Sequence, residues 1–368
     1  MERAKLMIPG PVDIEQDVRQ AMGGPSVAHY GKDWVDVYRE TLGLLGEVFQ
    51  TRGDIHILAG PGTAGLGAAL GSLLQTGDEV LIPYNGFFGE RMATVARCYG
   101  LHVVPLSFPV GMPLDVDRIQ ATLEQNPAVQ AVAVVHHETS AGVLNPVQQI
   151  ASLTREREIP IVVDAIASLG GVPLPVDEWG LDVVVTVANK CLASPPGIAP
   201  VSVSERAWEV MASKPDRAHG WYLNLETWKK YAEEWADWHP YPTTLPTRNI
   251  LALRTSLRRI IDKGLPAYYA EHREAAGRVR SGLREMGFRL LVEGEHACPL
   301  ITAVRRQSSF QVEDLIRYLH QVHRIEISGG IGELSGEIFR VGHMGKAASR
   351  QYTDAFLTAL EDFLQQAH

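Results

Sequence analysis

Between residues 50 and 190, short apolar runs rich in β-branched side chains alternate with helical patterns. These runs are Ile55–Leu58, Glu79–Pro83, Val103–Leu106, Ala131–Val135, Ile161–Val163 and Val183–Thr186. Such alternation is typical of βαβ units and predicts an α/β fold whose mainly parallel sheet is covered by helices. Because ligands of such folds bind outside the carboxyl ends of the strands, we expect the functional side chains just after these runs.

Composition and charge exclude several classes of protein. The 368 residues, 45% hydrophobic and 21% charged, are enough for one large or two moderate domains. The formal net charge of -9 offers no basic excess for nucleic acid. The three cysteines are odd in number and widely separated, which argues against a disulfide framework or a zinc site. With no apolar run long enough for a signal peptide or a membrane span, we expect a cytoplasmic protein without a membrane partner.

The chain changes character between residues 221 and 247, where four tryptophans and three prolines interrupt the periodicity. We interpret this segment as a long functional loop, with plain core packing as the alternative. From Ile250 an amphipathic pattern leads into a helix over 267–286, followed by strands near 289–292 and 300–304. The predicted organisation is an N-terminal arm (1–15), a large domain (16–250) and a small C-terminal α/β domain (251–368).

Two residues at predicted strand ends suggest a specific chemistry. Asp164 ends the run Ile-Val-Val-Asp, and Lys190 lies 26 residues further on, after Thr-Val-Ala-Asn. Taken singly, such residues are usually a helix cap and a surface lysine. As a pair they match pyridoxal phosphate (PLP), whose aldehyde forms a Schiff base with a lysine and whose pyridine nitrogen is kept protonated by a carboxylate. The same lysine can then move the α-proton of a substrate.

A glycine-rich turn, Gly-Pro-Gly-Thr-Ala-Gly at 60–65, joins the first strand to a helix. The backbone N–H groups of Gly62, Thr63 and Ala64 would be phosphate donors there. The same residues match the GxGxxG pattern of dinucleotide-binding dehydrogenases. That alternative requires an acidic residue at the end of the second strand, whereas the run 79–85 carries its acidic residue at its start. A cofactor with a single phosphate therefore fits better.

Several further motifs extend over nearly the whole chain. They are Pro9-Gly10-Pro11, 59–69, Asn85-Gly86-Phe87-Phe88-Gly89, 137–146, 163–171, 189–197 and Phe339-Arg340-Val341-Gly342. Together they resemble the class V aminotransferases of PLP-dependent fold type I, especially the alanine-glyoxylate and serine-pyruvate branch. The resemblance implies a large domain with a mainly parallel sheet, a smaller C-terminal α/β domain, and PLP as cofactor.

The resemblance also implies roles for individual residues. Around the cofactor, it assigns the covalent link to Lys190, the pyridine nitrogen to Asp164, ring stacking to Phe88, the opposite ring face to Ile166, the ring hydroxyl to Thr139, and the phosphate side to Asn189. Arg340 would bind the substrate carboxylate, with Gly10 of the N-terminal arm beside the substrate. In Tyr241-Pro242-Thr243-Thr244, Tyr241 and Thr244 would reach the PLP phosphate of a partner subunit, which implies a homodimer with shared active sites.

The implied reaction is ping-pong transfer of an amino group from a small amino acid, alanine or serine, to glyoxylate or pyruvate. Residues 189–192, 204–208 and 342–345 also resemble pyridoxamine-pyruvate aminotransferases. That family has a glutamate where this chain has Pro61 and a second substrate arginine where it has Ile331. A 2-aminoethylphosphonate-pyruvate aminotransferase is a further alternative.

Two other functions are less favoured by the sequence. A cysteine desulfurase would need a reactive cysteine, for which Cys298 is the candidate, and its neighbours suggest no lowered pKa. Adjacent His136 and His137 would face opposite sides of a strand, so we expect no metal site there.

Overall fold

The computed structural model describes residues 4–214 and 220–366. The strands are β1 (Lys5–Leu6), β2 (Asp54–Ala59), β3 (Glu79–Tyr84), β4 (His102–Ser107), β5 (Val129–Val135), β6 (His137–Glu138), β7 (Val143–Leu144), β8 (Ile161–Asp164), β9 (Val183–Val185), β10 (Ile198–Val203), β11 (Ile301–Arg305), β12 (Ile325–Glu326), β13 (Ser328–Gly329) and β14 (Ile338–Gly342). The α-helices are α1 (Gln16–Met22), α2 (Lys32–Phe49), α3 (Gly62–Leu73), α4 (Phe87–Cys98), α5 (Val116–Gln125), α6 (Val147–Glu156), α7 (Val176–Trp179), α8 (Glu205–Ala212), α9 (Leu225–Glu234), α10 (Thr247–Lys263), α11 (Leu265–Glu285), α12 (Val312–His323) and α13 (Arg350–Gln366).

A seven-stranded sheet of order β2-β10-β9-β8-β5-β3-β4 forms the centre of the larger part of the chain. Neighbours pair in parallel from β9 through β4, whereas β10 is antiparallel to both β2 and β9. The central strands β8 and β9 are buried at every position, as expected when helices cover both faces of a parallel sheet. The predicted mainly parallel α/β fold is confirmed.

The parallel pairing of β8 with β9 positions the two residues on which the cofactor hypothesis depends. Asp164 lies opposite Val185, so both strands end at the same edge of the sheet. The chain then continues from β9 through a turn that carries Lys190 before β10 begins. The sheet topology therefore brings Asp164 and Lys190 to one crevice, although 25 residues separate them along the chain.

Buried apolar residues form two main clusters. The larger packs the central sheet against its helices and extends along α10 to Ile260. The second joins α11, α12 and α13 to the three-stranded sheet β11-β14-β13 around Phe339 and Phe356. Two cores are compatible with the predicted large and small domains, whose boundaries at residues 15 and 250 stay a prediction.

Three features of the fold differ from the sequence-based expectations. Residues 225–234 of the segment interpreted as a loop form helix α9, with Trp228 fully buried in the larger core. The strand expected near 289–292 is reduced to one isolated bridge between Leu290 and Val304. Strand β10 is absent from the predicted strands. The prediction uses continuous apolar runs, and β10 contains the polar but buried Ser202.

The N-terminal segment crosses the smaller part of the chain before it reaches the crevice. Strand β1 pairs in parallel with β12, and Met7 O accepts a hydrogen bond from Gly342 N. Further on, Val12 N donates to Asn189 O at 3.2 Å, beside Lys190. Within the described part of the chain, no helix combines the length and the apolar character that a membrane crossing requires.

Candidate active site

A cavity of about 430 Å³ opens at the carboxyl ends of the strands. Its lining residues are Gly60, Pro61, Gly62, Thr63, Leu66, Phe88, Arg91, Val135, His137, Thr139, Asp164, Ile166, Ala167, Val187, Asn189, Lys190, Pro196 and Gly197. Eight of the residues predicted to bind the cofactor are among them. The topological position agrees with the rule that ligands of open α/β sheets bind at this edge.

Asp164 is a buried carboxylate, 6% exposed, at the end of β8. It accepts a hydrogen bond from Ile166 N at 2.9 Å, and no cationic side chain of residues 4–214 or 220–366 forms an ion pair with it. Burial, with a smaller contribution from Glu138, raises the pKa of Asp164 to about 7. Because an unpaired buried carboxylate is costly, this position favours a cationic ligand such as a protonated pyridine.

Lys190 lies against the N-terminal segment on another wall of the cavity. Its Nζ donates a hydrogen bond to Pro9 O. Burial lowers the pKa of Lys190 to about 8, with Arg340 lowering it further while Asp164 opposes the shift. A larger share of neutral amine at neutral pH is what a nucleophilic or base lysine needs.

Gly10 contacts the aliphatic part of Lys190 and does not line the cavity itself. A Cβ atom at Gly10 would lie 2.6 Å from both Cδ and Nζ of Lys190, and the backbone φ there is +122°. Both facts require glycine at this position. The structure therefore connects Gly10 with the orientation of Lys190, and the predicted substrate contact stays a prediction.

The glycine-rich turn leads directly into α3, whose first residue is Gly62. The first N–H groups of a helix have no intrahelical acceptor and attract anions. Gly62 and Thr63 line the cavity, whereas Ala64 does not, and Ala64 N already donates to Pro61 O at 2.9 Å. Gly62 and Thr63 are therefore better placed than Ala64 to donate to a phosphate, and the phosphate contact of all three stays a prediction.

Glycine at position 62 is also required by packing. A Cβ atom there would lie 2.4 Å from Cδ1 of Ile166, which itself lines the cavity. The helix N-terminus thus approaches the side chain predicted to cover one face of the cofactor ring. Phe88, Thr139 and Asn189 line other parts of the same cavity, and their roles toward the cofactor stay predictions.

Arg340 is 5% exposed on β14 and reaches toward the turn after β6. Its Nε donates to Gly329 O at 2.9 Å and its Nη1 donates to Thr139 O at 3.1 Å. These two bonds use two of the five guanidinium N–H groups and leave donors for a carboxylate. Burial lowers the pKa of Arg340 to about 10, so the side chain remains charged at neutral pH.

Gly10, Ala64 and Arg340 do not themselves line the cavity, although each lies beside a residue that does. Tyr241, Thr244 and Ile331 are also absent from its lining. Tyr241 is fully buried, and its hydroxyl donates to His29 O and accepts from Trp34 Nε1. Thr244 is exposed on the surface. Ile331 lines a separate cavity of about 270 Å³ near Phe87. A contact of Tyr241 or Thr244 with a second subunit stays a prediction.

Arg91 and His137 line the cavity but were not identified from the sequence. Arg91 follows Phe88 by one helical turn, and its Cζ lies 5.2 Å from the centroid of the Phe88 ring. That i, i+3 spacing on a helix was the available signal. Burial lowers the pKa of His137 to about 3, so its ring is neutral.

Cys298 is the residue that a desulfurase-type reaction would need as its thiol. Cys298 is fully buried, and burial raises the pKa of its thiol to about 12, which opposes a nucleophilic role. In the described ranges 4–214 and 220–366, His, Cys, Asp and Glu side chains form no cluster of three or more suited to a metal ion.

Comparison with known proteins agrees with this geometry. The family model described as aminotransferase class-V matches residues 17–343. The chain is 33% identical to an uncharacterized aminotransferase of Methanocaldococcus jannaschii over 94% of this chain and 89% of the relative.

Two solved structures are similar over nearly their whole length. An alanine-glyoxylate aminotransferase from Nostoc sp. superposes with a TM-score of 0.95 at 32% identity, covering 99% of this chain and 96% of that one. A pyridoxamine-pyruvate aminotransferase from Mesorhizobium loti superposes with a TM-score of 0.91 at 27% identity, covering 100% and 93%. The chain therefore belongs to the class-V aminotransferases and is a PLP-dependent transaminase.

Proposed function

We propose that this aminotransferase moves an amino group from a small amino acid with one carboxylate, alanine or serine, to glyoxylate or pyruvate. The observation that carries the proposal is the buried guanidinium of Arg340, which donates to the carbonyl of the cavity residue Thr139, lowers the pKa of Lys190 by its charge, and keeps further N–H donors for a carboxylate. The two similar structures are an alanine-glyoxylate and a pyridoxamine-pyruvate aminotransferase, which supports glyoxylate and pyruvate as acceptors.

Each residue of the site has a chemical task in this reaction. Bound PLP supplies an electron sink for the pair of electrons left when the α-proton of the substrate departs. Asp164 would hold the proton of the pyridine nitrogen, and the N–H groups of Gly62 and Thr63 would bind the phosphate. Arg340 would orient the substrate by its carboxylate, so that the neutral amine of Lys190 can take and return the α-proton.

We also assign Phe88 and Ile166 to the two faces of the cofactor ring, Thr139 to the ring hydroxyl and Asn189 to the phosphate side. Their presence in one cavity with Asp164 and Lys190 supports these roles. The three free cysteines fit a reducing cytoplasm as the working compartment.

A homodimer with shared sites belongs to the same proposal. Four large aromatic side chains, Tyr30, Trp221, Trp235 and Trp238, are between 41% and 54% exposed. Three of them form a continuous patch, since the ring of Trp238 lies 5.7 Å from Tyr30 and 5.5 Å from Trp235. Exposed aromatic patches of this kind mark protein interfaces. Trp238 of this patch lies six residues before Thr244 in the sequence. This proximity supports a contact between Thr244 and a partner's cofactor.

A panel of amino donors tests the substrate assignment. Each donor is mixed with the PLP-loaded enzyme without acceptor, and the rate of the cofactor's absorbance change measures the first half-reaction. We expect alanine and serine to react fastest, and the product form to be reconverted by glyoxylate or pyruvate. Because Arg91 supplies a second cation in the cavity, the panel includes aspartate and 2-aminoethylphosphonate. A much faster reaction with either one would replace the small monocarboxylate assignment.

A further inference from the structure

Glu138 is a fully buried carboxylate at the end of β6, where the chain turns through Thr139 and Ser140, and the cofactor chemistry assigns it no role. Its Oε2 accepts hydrogen bonds from Phe88 N and Gly89 N, both at 3.1 Å. Its Oε1 accepts from Ser140 N at 3.1 Å and from Ser140 Oγ at 2.5 Å. A buried carboxylate that accepts four hydrogen bonds is held rigidly, because each lone pair has an assigned donor.

These bonds provide acceptors for the free backbone N–H groups at the N-terminus of α4, the helix that carries Phe88. The residue before this helix is Gly86, which has no side chain to cap it. Glu138 and Ser140 supply the acceptors instead, since Phe87 N donates to Ser140 Oγ at 3.2 Å. A Cβ atom at Gly86 would lie 2.5 Å from Ser140 Oγ and 2.7 Å from Glu138 Cγ, so glycine is required for this approach. The position of the Phe88 ring is therefore tied to Glu138.

The next residue, Thr139, connects the same turn with Arg340, the residue predicted to bind the substrate. Thr139 lines the cavity, and its carbonyl oxygen accepts the hydrogen bond from Arg340 Nη1 at 3.1 Å. The charge of Glu138 also acts on this guanidinium, where it opposes the lowering of the Arg340 pKa by burial. One turn thus contacts both the wall predicted to stack on the cofactor and the arginine predicted to bind the substrate.

We propose that Glu138 is a positioning residue that sets the ring of Phe88 and the guanidinium of Arg340 in a fixed relation to one another. It would touch neither cofactor nor substrate and would act through the first turn of α4 and through the Thr139 carbonyl. The proposal rests on the function proposed above, since it concerns the alignment of the substrate carboxylate with the cofactor ring. Transfer of a proton depends on such alignment, because small displacements of reacting groups cost large factors in rate.

The Glu138→Gln variant isolates the acceptor role of this side chain. Glutamine has nearly the same size, but its amide nitrogen donates and cannot accept a hydrogen bond. Either the pair from α4 or the pair from Ser140 must therefore lose its acceptor. Glu90→Gln is the matched control, because Glu90 lies in the same first turn of α4 with an exposed side chain.

Three quantities are measured for both variants and the wild type: the dissociation constant of PLP, the induced circular dichroism of bound PLP, and the separate KM and kcat for the amino donor. We expect Glu138→Gln to bind PLP about ten- to a hundredfold more weakly, by the cost of unsatisfied buried donors. Its induced dichroism should change and its donor KM should rise, whereas Glu90→Gln should match the wild type. A purely structural role would lower the folded fraction and leave these constants unchanged per folded site, and that result would overturn the proposal.

A second variant keeps the test decisive if Glu138→Gln does not fold. Ser140→Ala removes the acceptor of Phe87 N and one donor to Glu138 but leaves the carboxylate in place. It should weaken PLP binding by about three- to tenfold and change the dichroism in the same direction as Glu138→Gln. The effect should be smaller than that of Glu138→Gln, because the carboxylate keeps its other three donors. Unchanged PLP affinity and dichroism in Ser140→Ala would also overturn the proposal. If the wild type binds PLP but transfers no amino group, the proposed function fails, while PLP affinity and dichroism still decide the role of Glu138.

Discussion

At the residue scale, the site depends on two titratable groups whose pKa values burial moves toward neutrality. The pKa of Asp164 rises to about 7 and the pKa of Lys190 falls to about 8, in each case mainly because burial removes water from the charged form. Such shifts in a crevice are characteristic of functional sites.

The first prediction concerns the pH dependence of PLP capture by the cofactor-free enzyme. Capture needs the neutral amine of Lys190 and the ionised carboxylate of Asp164, and both become more abundant as pH rises. The second-order rate should therefore increase between about pH 6.5 and 8 and level off above about pH 8.5. An unperturbed lysine, with a pKa near 10.5, would keep gaining about tenfold per pH unit up to that value. Stopped-flow absorbance measures the rate, and continued tenfold gains between pH 9 and 10 would contradict the lowered pKa.

The second prediction concerns Arg340. Lysine keeps the charge but loses the planar fork that binds a carboxylate through two hydrogen bonds. We expect Arg340→Lys to lower kcat/KM about ten- to a hundredfold for every carboxylate donor, which corresponds to the loss of about 1.5–3 kcal/mol. The absorbance spectrum of bound PLP should stay unchanged, because Arg340 is assigned to the substrate. Equal kcat/KM in variant and wild type would remove Arg340 from the substrate site.

At the element scale, strand ends and one helix N-terminus assemble the site. The β8–β9 pairing brings Asp164 and Lys190 together, and α3 begins at the cavity with Gly62. Both features follow from patterns visible in the sequence, namely apolar runs that end in a polar residue and glycines at a strand-to-helix turn. The strands and the cavity-lining residues near these motifs could therefore be predicted.

Other parts of the site depend on contacts that no local pattern encodes. The side chain of Glu138 caps a helix that begins 51 residues earlier in the chain, and Arg340 reaches Thr139 from a separate sheet. Helix α9 was missed because tryptophans and prolines in the surrounding segment obscured a ten-residue helical pattern. Arg91 was missed although it shares a face of α4 with Phe88, because a spacing of three residues was the only signal for it.

The third prediction tests the start of α3 with a matched pair of glycine substitutions. A Cβ atom at Gly62 would lie 2.4 Å from Ile166, whereas one at Gly43 of α2 would meet nothing within 4 Å. Gly43→Ala should stabilise its helix by about 0.5–1 kcal/mol through the better helix propensity of alanine. Gly62→Ala should instead lower the melting temperature and weaken PLP binding at least about tenfold, since the turn and Ile166 must move apart. Retained PLP affinity in Gly62→Ala would show that this turn does not hold the phosphate.

At the scale of the whole molecule, the proposed dimer would complete each site from two chains. Tyr241 and Thr244 do not line the cavity of their own chain. The ring of Tyr241 is connected to the exposed aromatic patch through His239, which lies 4.4 Å from Tyr241 and 5.6 Å from Trp238. The hydroxyl proton of Tyr241 already has His29 O as acceptor, so a bond to a partner's phosphate requires Tyr241 to exchange this contact. Thr244 is exposed and needs no such change.

The fourth prediction concerns mixed dimers. Lys190→Ala and the double variant Tyr241→Phe, Thr244→Ala should each have little activity alone. If these residues act across the interface, a hybrid dimer has one site with both defects and one intact site. After complete exchange of a 1:1 mixture, activity should recover to about a quarter of the wild type, because half of the dimers are hybrids with one working site. Absence of recovery after exchange is verified by mass would place the residues in the site of their own chain.

The most direct measurement of the cofactor site is borohydride reduction of the PLP-loaded protein, followed by peptide mass mapping. Reduction converts the imine between lysine and aldehyde into a stable amine. We predict one pyridoxyl group per chain on Lys190, and Lys190→Ala should bind PLP without a stable adduct and lose turnover by several orders of magnitude. A pyridoxyl group on any other lysine, or none on Lys190 in an active preparation, would contradict the assignment of this cavity as the transamination site.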